Sequence, residues 1–280
     1  MAFEFAKQRY QVFNVSLERM FRVTRALGKL YDYDEEDMDL VFDFNRMIES
    51  NKNSIQFDYR RFINTLLNLT PSCSDNILKC VWKTKPVNCS EIFSSRRTMF
   101  GFCCTFNYYK SLDHIFLTED NKSSTIEPEY LSMVGYETGL SLVLQSEPAD
   151  YYYPLNNMEG LNVLIYNPRD YPDTSSGGLV ETLIPLQREV FLQIDSLTVE
   201  AVQMLQEYPR DLRGCVFSTE DTTSFDTSYY SYSDCLNECK MRSILALCEC
   251  IPFYMSISKK LPFSTQLCTL SDIVCLNKYK

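Results

Sequence analysis

Cysteine is the residue type with the most chemistry to offer in this chain, and its placement narrows that chemistry. Seven of the twelve cysteines, Cys215, Cys235, Cys239, Cys248, Cys250, Cys268 and Cys275, stand at or beyond position 215. Such a cluster can hold zinc, supply a nucleophile or form disulfides. The run Cys-x3-Cys-x8-Cys-x-Cys-x17-Cys-x6-Cys fits no common four-ligand zinc spacing, and a single histidine leaves almost no imidazole to complete one. A cysteine or serine nucleophile needs a base beside it, and His114 is the sole histidine, in a stretch (Ser111-Leu112-Asp113-His114) that reads as a surface turn. Gly-x-Ser-x-Gly, a phosphate-cradling glycine loop and His-Glu-x-x-His do not occur. No catalytic, cofactor-binding or metal-ligating residue is assigned, no cofactor is expected, and the chain reads as a non-enzyme. Disulfides remain. Four Asn-x-Ser/Thr sequons, at Asn14, Asn68, Asn88 and Asn121, join the cysteines in pointing to an oxidising, extracellular, glycosylated setting.

The elements that must position these thiols can be read in outline. Cys235 and Cys239 are four apart, so a helix places them on one face, one turn apart, ready for two parallel cross-links to a neighbouring segment. Ser233 is the expected N-cap of that helix, with Asp234 and Glu238 in its first turns. Cys248 and Cys250 point to opposite sides if the backbone there is extended, and Pro252 and Pro262 prevent the helix from continuing. Residues 1–70 read as mostly helical. Met20, Phe21, Val23, Leu27 and Leu30 recur at helical spacing, the acidic run 36–41 suits a helix start, and Arg61–Leu67 is a further helical piece stopped by Pro71. The carboxylates of 32–39 fit either a solvated helix start or a cation- or proton-sensing cluster, and the run lacks the glycine and terminal glutamate of a calcium loop. The middle is β-rich: Leu161–Tyr166 is a strand candidate, 173–178 a turn, and Val190, Leu192 and Ile194 show period-two alternation. The tyrosine clusters 151–153 and 229–232 either pack between subdomains or face a ligand or subunit.

Composition bounds the rest. Of 280 residues, 45% are hydrophobic and 23% charged, enough apolar material for a sizeable core. The net charge of −10 argues against nucleic acid, which needs concentrated positive charge. No signal peptide and no transmembrane helix is read: the uncharged run Thr98–Tyr109 holds 12 residues, against about 20 for a span. An extracellular chain without these implies that the signal or anchor lies outside these residues.

At four places the residues become specific. Gly101-Phe102-Cys103-Cys104-Thr105-Phe106-Asn107 resembles the Gly-x-Cys-x-Thr-Phe-Asn signature of the degenerin/epithelial sodium channel family. Cys80-Val81-Trp82 with Asn88-Cys89-Ser90-Glu91-Ile92-Phe93 resembles the cysteine pair of that family's finger domain. Gly160–Val163, Asp170–Asp173 and Arg213-Gly214-Cys215-Val216-Phe217 with Glu220 match its β-ball and the approach to its thumb. Tyr232, Cys235, Glu238, Cys239, Cys248, Cys250, Pro252, Cys268, Cys275 and Leu276 match its thumb framework. The double cysteine at 103–104 is most similar to the insect pickpocket branch. The resemblance covers roughly residues 60–280; the first 60 align by position only.

The resemblance implies an α+β, disulfide-rich ectodomain with a helical finger (1–110), a β-ball and partial palm (111–214) and a helical, cysteine-bridged thumb (215–280), lacking both transmembrane helices. It implies pairs Cys80–Cys89, Cys248–Cys275 and Cys250–Cys268. Cys103, Cys215, Cys235 and Cys239 would pair with residues outside this chain, lost by truncation. Cys73 and Cys104 are left for each other, a pairing no motif supports. Family motif residues are Gly101, Cys103, Thr105, Phe106, Asn107, Arg213, Cys215 and Glu220. The function implied is the extracellular part of a subunit of a trimeric, amiloride-sensitive sodium channel in the plasma membrane. It would pass ligand, proton or mechanical signals to a pore outside the chain. Its partners would be other subunits, an extracellular ligand and, through that pore, sodium ions. The alternatives are a soluble channel-derived binding or dominant-negative protein, and a non-functional gene-model fragment.

Overall fold

Ser16 starts the first helix: its backbone is extended and its hydroxyl accepts from the Arg19 amide at 3.2 Å, satisfying one of the donors a helix start leaves open. In the computed structural model, which describes residues 14–29, 33–50, 70–109, 128–135, 137–146, 159–217, 220, 230–255 and 266–279, this helix is α1 (Leu17–Leu27). Helix α2 (Glu35–Ser50) begins with Glu35, Glu36 and Asp37, negative charge where the helix dipole is positive. Met20, Val23, Ala26 and Leu27 form the buried face of α1 and meet Tyr33, Val41 and Phe44. Ion pairs also join the two helices, such as Arg19–Asp43 at 2.8 Å, but both partners are well exposed. Burial therefore outweighs them, since exposed pairs are worth about 0–1 kcal/mol and each buried apolar side chain about 1.5–3 kcal/mol. The helical reading of Arg61–Leu67 falls outside the described residues.

A short helix, α3 (Cys73–Asn76), leads into β1 (Ile77–Trp82) and β2 (Lys85–Val87), an antiparallel hairpin. After the single turn of α4 (Cys89–Ile92), β3 (Phe93–Thr98) and β4 (Gly101–Phe106) form a second hairpin. Strand β5 (Leu140–Leu144) returns to pair antiparallel with β1, giving the order β2-β1-β5. Strands β6 (Gly160–Tyr166) and β7 (Leu179–Pro185) make a third hairpin. A Cβ on Gly160 would lie 2.3 Å from the Ile184 carbonyl oxygen, so only glycine allows the hairpin to close there.

The expected strand through Val190, Leu192 and Ile194 is not formed. Residues 186–202 run without regular structure, and these three side chains are 41%, 38% and 65% exposed. Alternation of side chains makes a strand only when a partner supplies the hydrogen-bond ladder, and no described strand lies beside this segment.

The chain then forms α5 (Arg210–Arg213), the long α6 (Tyr232–Cys248), β8 (Cys250–Ile251) parallel to β9 (Gln266–Leu267), a 3-10 turn (Leu270–Asp272) and α7 (Ile273–Lys278). The N-cap of α6 is Ser231, not Ser233. Ser231 is the extended residue whose hydroxyl accepts from the Asp234 amide at 3.3 Å, whereas Ser233 is already helical and its hydroxyl is used elsewhere. Glu249 ends the helix in the left-handed region, turning the chain so that Cys248 closes α6 and Cys250 opens β8. Four disulfides link Cys73–Cys104, Cys80–Cys89, Cys248–Cys275 and Cys250–Cys268. The protein is a mixed helix-and-sheet, disulfide-rich fold, and no described helix is long and apolar enough to cross a membrane.

The Cys250–Cys268 bridge spans 18 residues and lies in a buried cluster with Leu276. Replacing both cysteines by serine is expected to cost about 3 kcal/mol in urea unfolding, from loop entropy. An unchanged midpoint would show that β8 and β9 hold their place without the bridge.

Candidate functional site

Two joints bring residues far apart in sequence together. In the first, Leu270 and Ile273, 5% and 1% exposed, enter the core made by α1 and α2. Asn277 Nδ2 of α7 donates to the Tyr33 carbonyl at 3.1 Å. The N-terminal helices and the C-terminal bridged loop thus share one apolar core. At its rim Lys29 reaches Asp37 and, at 3.2 Å, Asp34, while Arg22 pairs with Glu36. The Asp37 amide and then the Lys29 ammonium hold the Asp34 carboxyl below its usual range, and Asp37 first, then Asp34, raise Lys29. Asp34, Glu36 and Asp37, from the acidic run, therefore each sit against a cation.

The second joint surrounds the loop between β6 and β7. Tyr171 is buried, its hydroxyl donates to the Tyr254 carbonyl at 2.6 Å, and its own carbonyl accepts from the Ser233 hydroxyl. Arg97, 2% exposed on β3, donates from Nη1 to the Phe253 carbonyl at 2.9 Å. Asp173, 3% exposed, receives the Ser175 amide at 3.0 Å and the Ser175 hydroxyl, and pairs with Lys240 of α6 at 2.8 Å. Burial alone would raise the Asp173 carboxyl, but the hydrogen bonds from Lys240 and Ser175 outweigh it and lower it on balance. Burial pushes the Tyr254 phenol up to about 12.

The motif residues of the second hairpin have identifiable structural work. Gly101 holds φ 95° just past the β3–β4 turn, where its carbonyl accepts from Thr98 Oγ1 at 3.1 Å. Thr105 donates to the Ser94 carbonyl at 3.0 Å, pinning β4 to β3. Phe106 packs between Trp82 and Phe93, with ring centroids at 4.9 and 5.8 Å. Asn107 has φ 57° and clamps Glu129 from both sides: its Oδ1 accepts from the Glu129 amide at 2.8 Å and its Nδ2 donates to the Glu129 carbonyl at 3.0 Å. Arg213 stacks over Phe217 and pairs with Glu220, whose carboxyl is lowered by Arg213 first and then by the Phe217 amide.

Four thiols are free: Cys103, partly buried, and Cys215, Cys235 and Cys239, all exposed. Burial raises Cys103, which lies 3.2 Å from the Thr98 hydroxyl, so it is protonated at neutral pH and a poor nucleophile. Cys235 and Cys239 share the outer face of α6, while Ser233, Asp234, Asn237 and Glu238 face inward. Asn14 and Asn88 are exposed, and Asn88 caps α4 by accepting from the Ser90 amide. Asn68, Asn121, His114 and Tyr151–Tyr153 lie outside the described residues, as does Tyr229, and Tyr232 is 61% exposed.

A family model described as amiloride-sensitive sodium channel matches residues 3–280. The chain belongs to the amiloride-sensitive sodium channel family. Pickpocket protein 28 of Drosophila melanogaster is 25% identical over 223 residues, covering 70% of this chain and 36% of the relative. Sodium channel protein Nach of Drosophila virilis is 22% identical, covering 82% and 53%. Epithelial sodium channel subunit alpha of Neoceratodus forsteri is 25% identical, covering 63% and 23%. The chain thus spans about a third to a half of the length of these insect relatives. Membership makes this a relative of sodium channels, one of the matched relatives being named as a channel subunit.

Sequence reasoning missed Arg97, Lys240 and the tie from Tyr171 to Tyr254. The sequence segment 170–173 carried a family signal, but nothing local in it named Lys240, 67 residues on.

A pH dependence follows from Asp173. Because its folded carboxyl is the stronger acid, its contribution to stability is complete above the unfolded value of about 3.9 and is lost as pH falls through the folded value. Stability of wild type minus Asp173→Asn is expected to stay flat from about pH 8 to pH 5 and to shrink only below about pH 4. A difference that collapses between those upper limits would contradict the pairing.

Proposed function

We propose that this chain forms the extracellular region of one subunit of a trimeric, amiloride-sensitive sodium channel. In this reading residues 1–110 act as the finger, 111–214 as the β-ball and part of the palm, and 215–280 as the thumb. The observation that supports it most is the shared core of Leu270 and Ile273 with α1 and α2. A push on either the N-terminal helices or the bridged C-terminal loop displaces the other, because close-packed side chains do not slide independently. The bridges Cys248–Cys275 and Cys250–Cys268 keep that loop stiff, so displacement is carried onward rather than absorbed. Cys103, Cys215, Cys235 and Cys239 are the thiols through which this region would be tied to the rest of the subunit. Sodium would pass only through a pore formed elsewhere in that subunit, and selectivity would be set there.

The test is a chimaera in which residues 14–279 replace the matching region of Sodium channel protein Nach of Drosophila melanogaster, a relative at 23% identity. Surface labelling is read beside whole-cell current. The proposal expects a surface-labelled chimaera with an amiloride-blocked sodium current, and an altered current in its Ile273→Asp version at equal surface density. Surface labelling with no current in the parent chimaera, or identical currents from both, would overturn it.

A further inference from the structure

We propose that Asp173 and Lys240 form a latch that keeps the β6–β7 hairpin docked on helix α6, with Asp173 as its positioning residue. A two-stranded hairpin is marginal in water by itself and needs something to pack against. Several attachments of β6–β7 run through residues 166–178. Tyr166 meets the Tyr108 ring at 5.7 Å, the Pro168 carbonyl accepts from the Tyr109 amide at 2.9 Å, and Thr174 reaches Met99. These three lead to the β3–β4 hairpin. Tyr171 holds Ser233 and Tyr254, and Asp173 holds Lys240; these lead to α6 and the chain just after it.

Among them the Asp173–Lys240 pair joins two charges in an asymmetric setting. The Asp173 side chain is 4% exposed and Lys240 41%. Both carboxylate oxygens accept from Lys240, at 2.9 and 2.8 Å, and Ser175 Oγ is shared between the two partners, 2.6 Å from the ammonium. The Ser175 amide and hydroxyl also donate to the Asp173 carboxylate. An exposed pair would be expendable. Here the anion is fixed in a closed loop, so removing the cation leaves a buried carboxylate short of its counter-charge, which costs more than losing both groups together. That asymmetry separates a latch from an incidental surface contact. The latch is a property of the chain itself; its bearing on gating rests on the channel reading, and the experiment below needs no channel.

Hydrogen exchange of the whole 280-residue chain reads the outcome. Lys240→Met is expected to speed exchange of the 160–166 and 179–185 amides, together with the first turns of α6, by roughly threefold to tenfold. Lys240→Arg should restore the wild-type rates. The double variant Asp173→Asn with Lys240→Met should exchange more slowly in the hairpin than Lys240→Met alone. Acceleration confined to residues around 240, a double variant as fast as or faster than Lys240→Met, or no change in the hairpin would each overturn the latch. Should Lys240→Met fail to fold, Lys240→Gln, which keeps polarity but not charge, takes its place with the same expected pattern.

Discussion

Two disulfides at the end of α6 fix where Leu270 and Ile273 stand, and the core they share with α1 and α2 depends on that placement. Cys248–Cys275 returns α7 to the last turn of α6, and Cys250–Cys268 brings the segment before Leu270 back to β8. Among the described residues between Cys250 and Asp272, regular structure is a two-residue parallel pairing and a single 3-10 turn. Backbone ordering costs about 1–2 kcal/mol per residue, and so short a ladder cannot offset it. The covalent bridges reduce that cost in advance, and the loop can then present two apolar side chains to α1 and α2.

Helix α6 shows the same economy in its unusual faces. It buries Ser233, Asp234, Asn237, Glu238 and Met241 and turns Tyr232, Cys235 and Cys239 outward. A solitary surface helix would do the reverse. On the inner face the Ser233 hydroxyl donates to the Tyr171 carbonyl, Glu238 pairs with Arg242, and Met241 joins an apolar cluster with Ile251 and Met255. The outer face makes sense if the thiols have a structural destination, which is how the proposed channel subunit uses them. One helix therefore carries the loop of β6–β7 on one side and two candidate cross-links on another.

How much of this was legible depended on the range of each interaction. The start of α2 at Glu35 follows from its acids and lies one residue from the start read at 36–41, whereas the Ser16 cap of α1 was not read from the sequence although its partner, Arg19, is three residues away. Local rules misplaced the cap of α6 by two residues, because Ser231 and Ser233 are chemically equivalent and only the Tyr171 carbonyl decides which is already engaged. Alternation at 190–194 suggested a strand because it reports which way side chains point, not whether a neighbouring strand is there. Arg97–Phe253 and Asp173–Lys240 span 156 and 67 residues and leave no periodic trace. The shared core of Leu270 and Ile273 with α1 and α2 was hidden for the same reason.

Hydrogen exchange on Ile273→Ala reads whether α1 and α2 share a core with the C-terminal loop. Truncating this side chain, 1% exposed, is expected to cost about 2–5 kcal/mol locally. If the core is common, the amides of α1 and α2, more than two hundred residues earlier, lose protection together with those of α7. If the loss of protection stays within residues 266–279 and both N-terminal helices exchange at wild-type rates, the two ends of the chain do not share a core and the account fails.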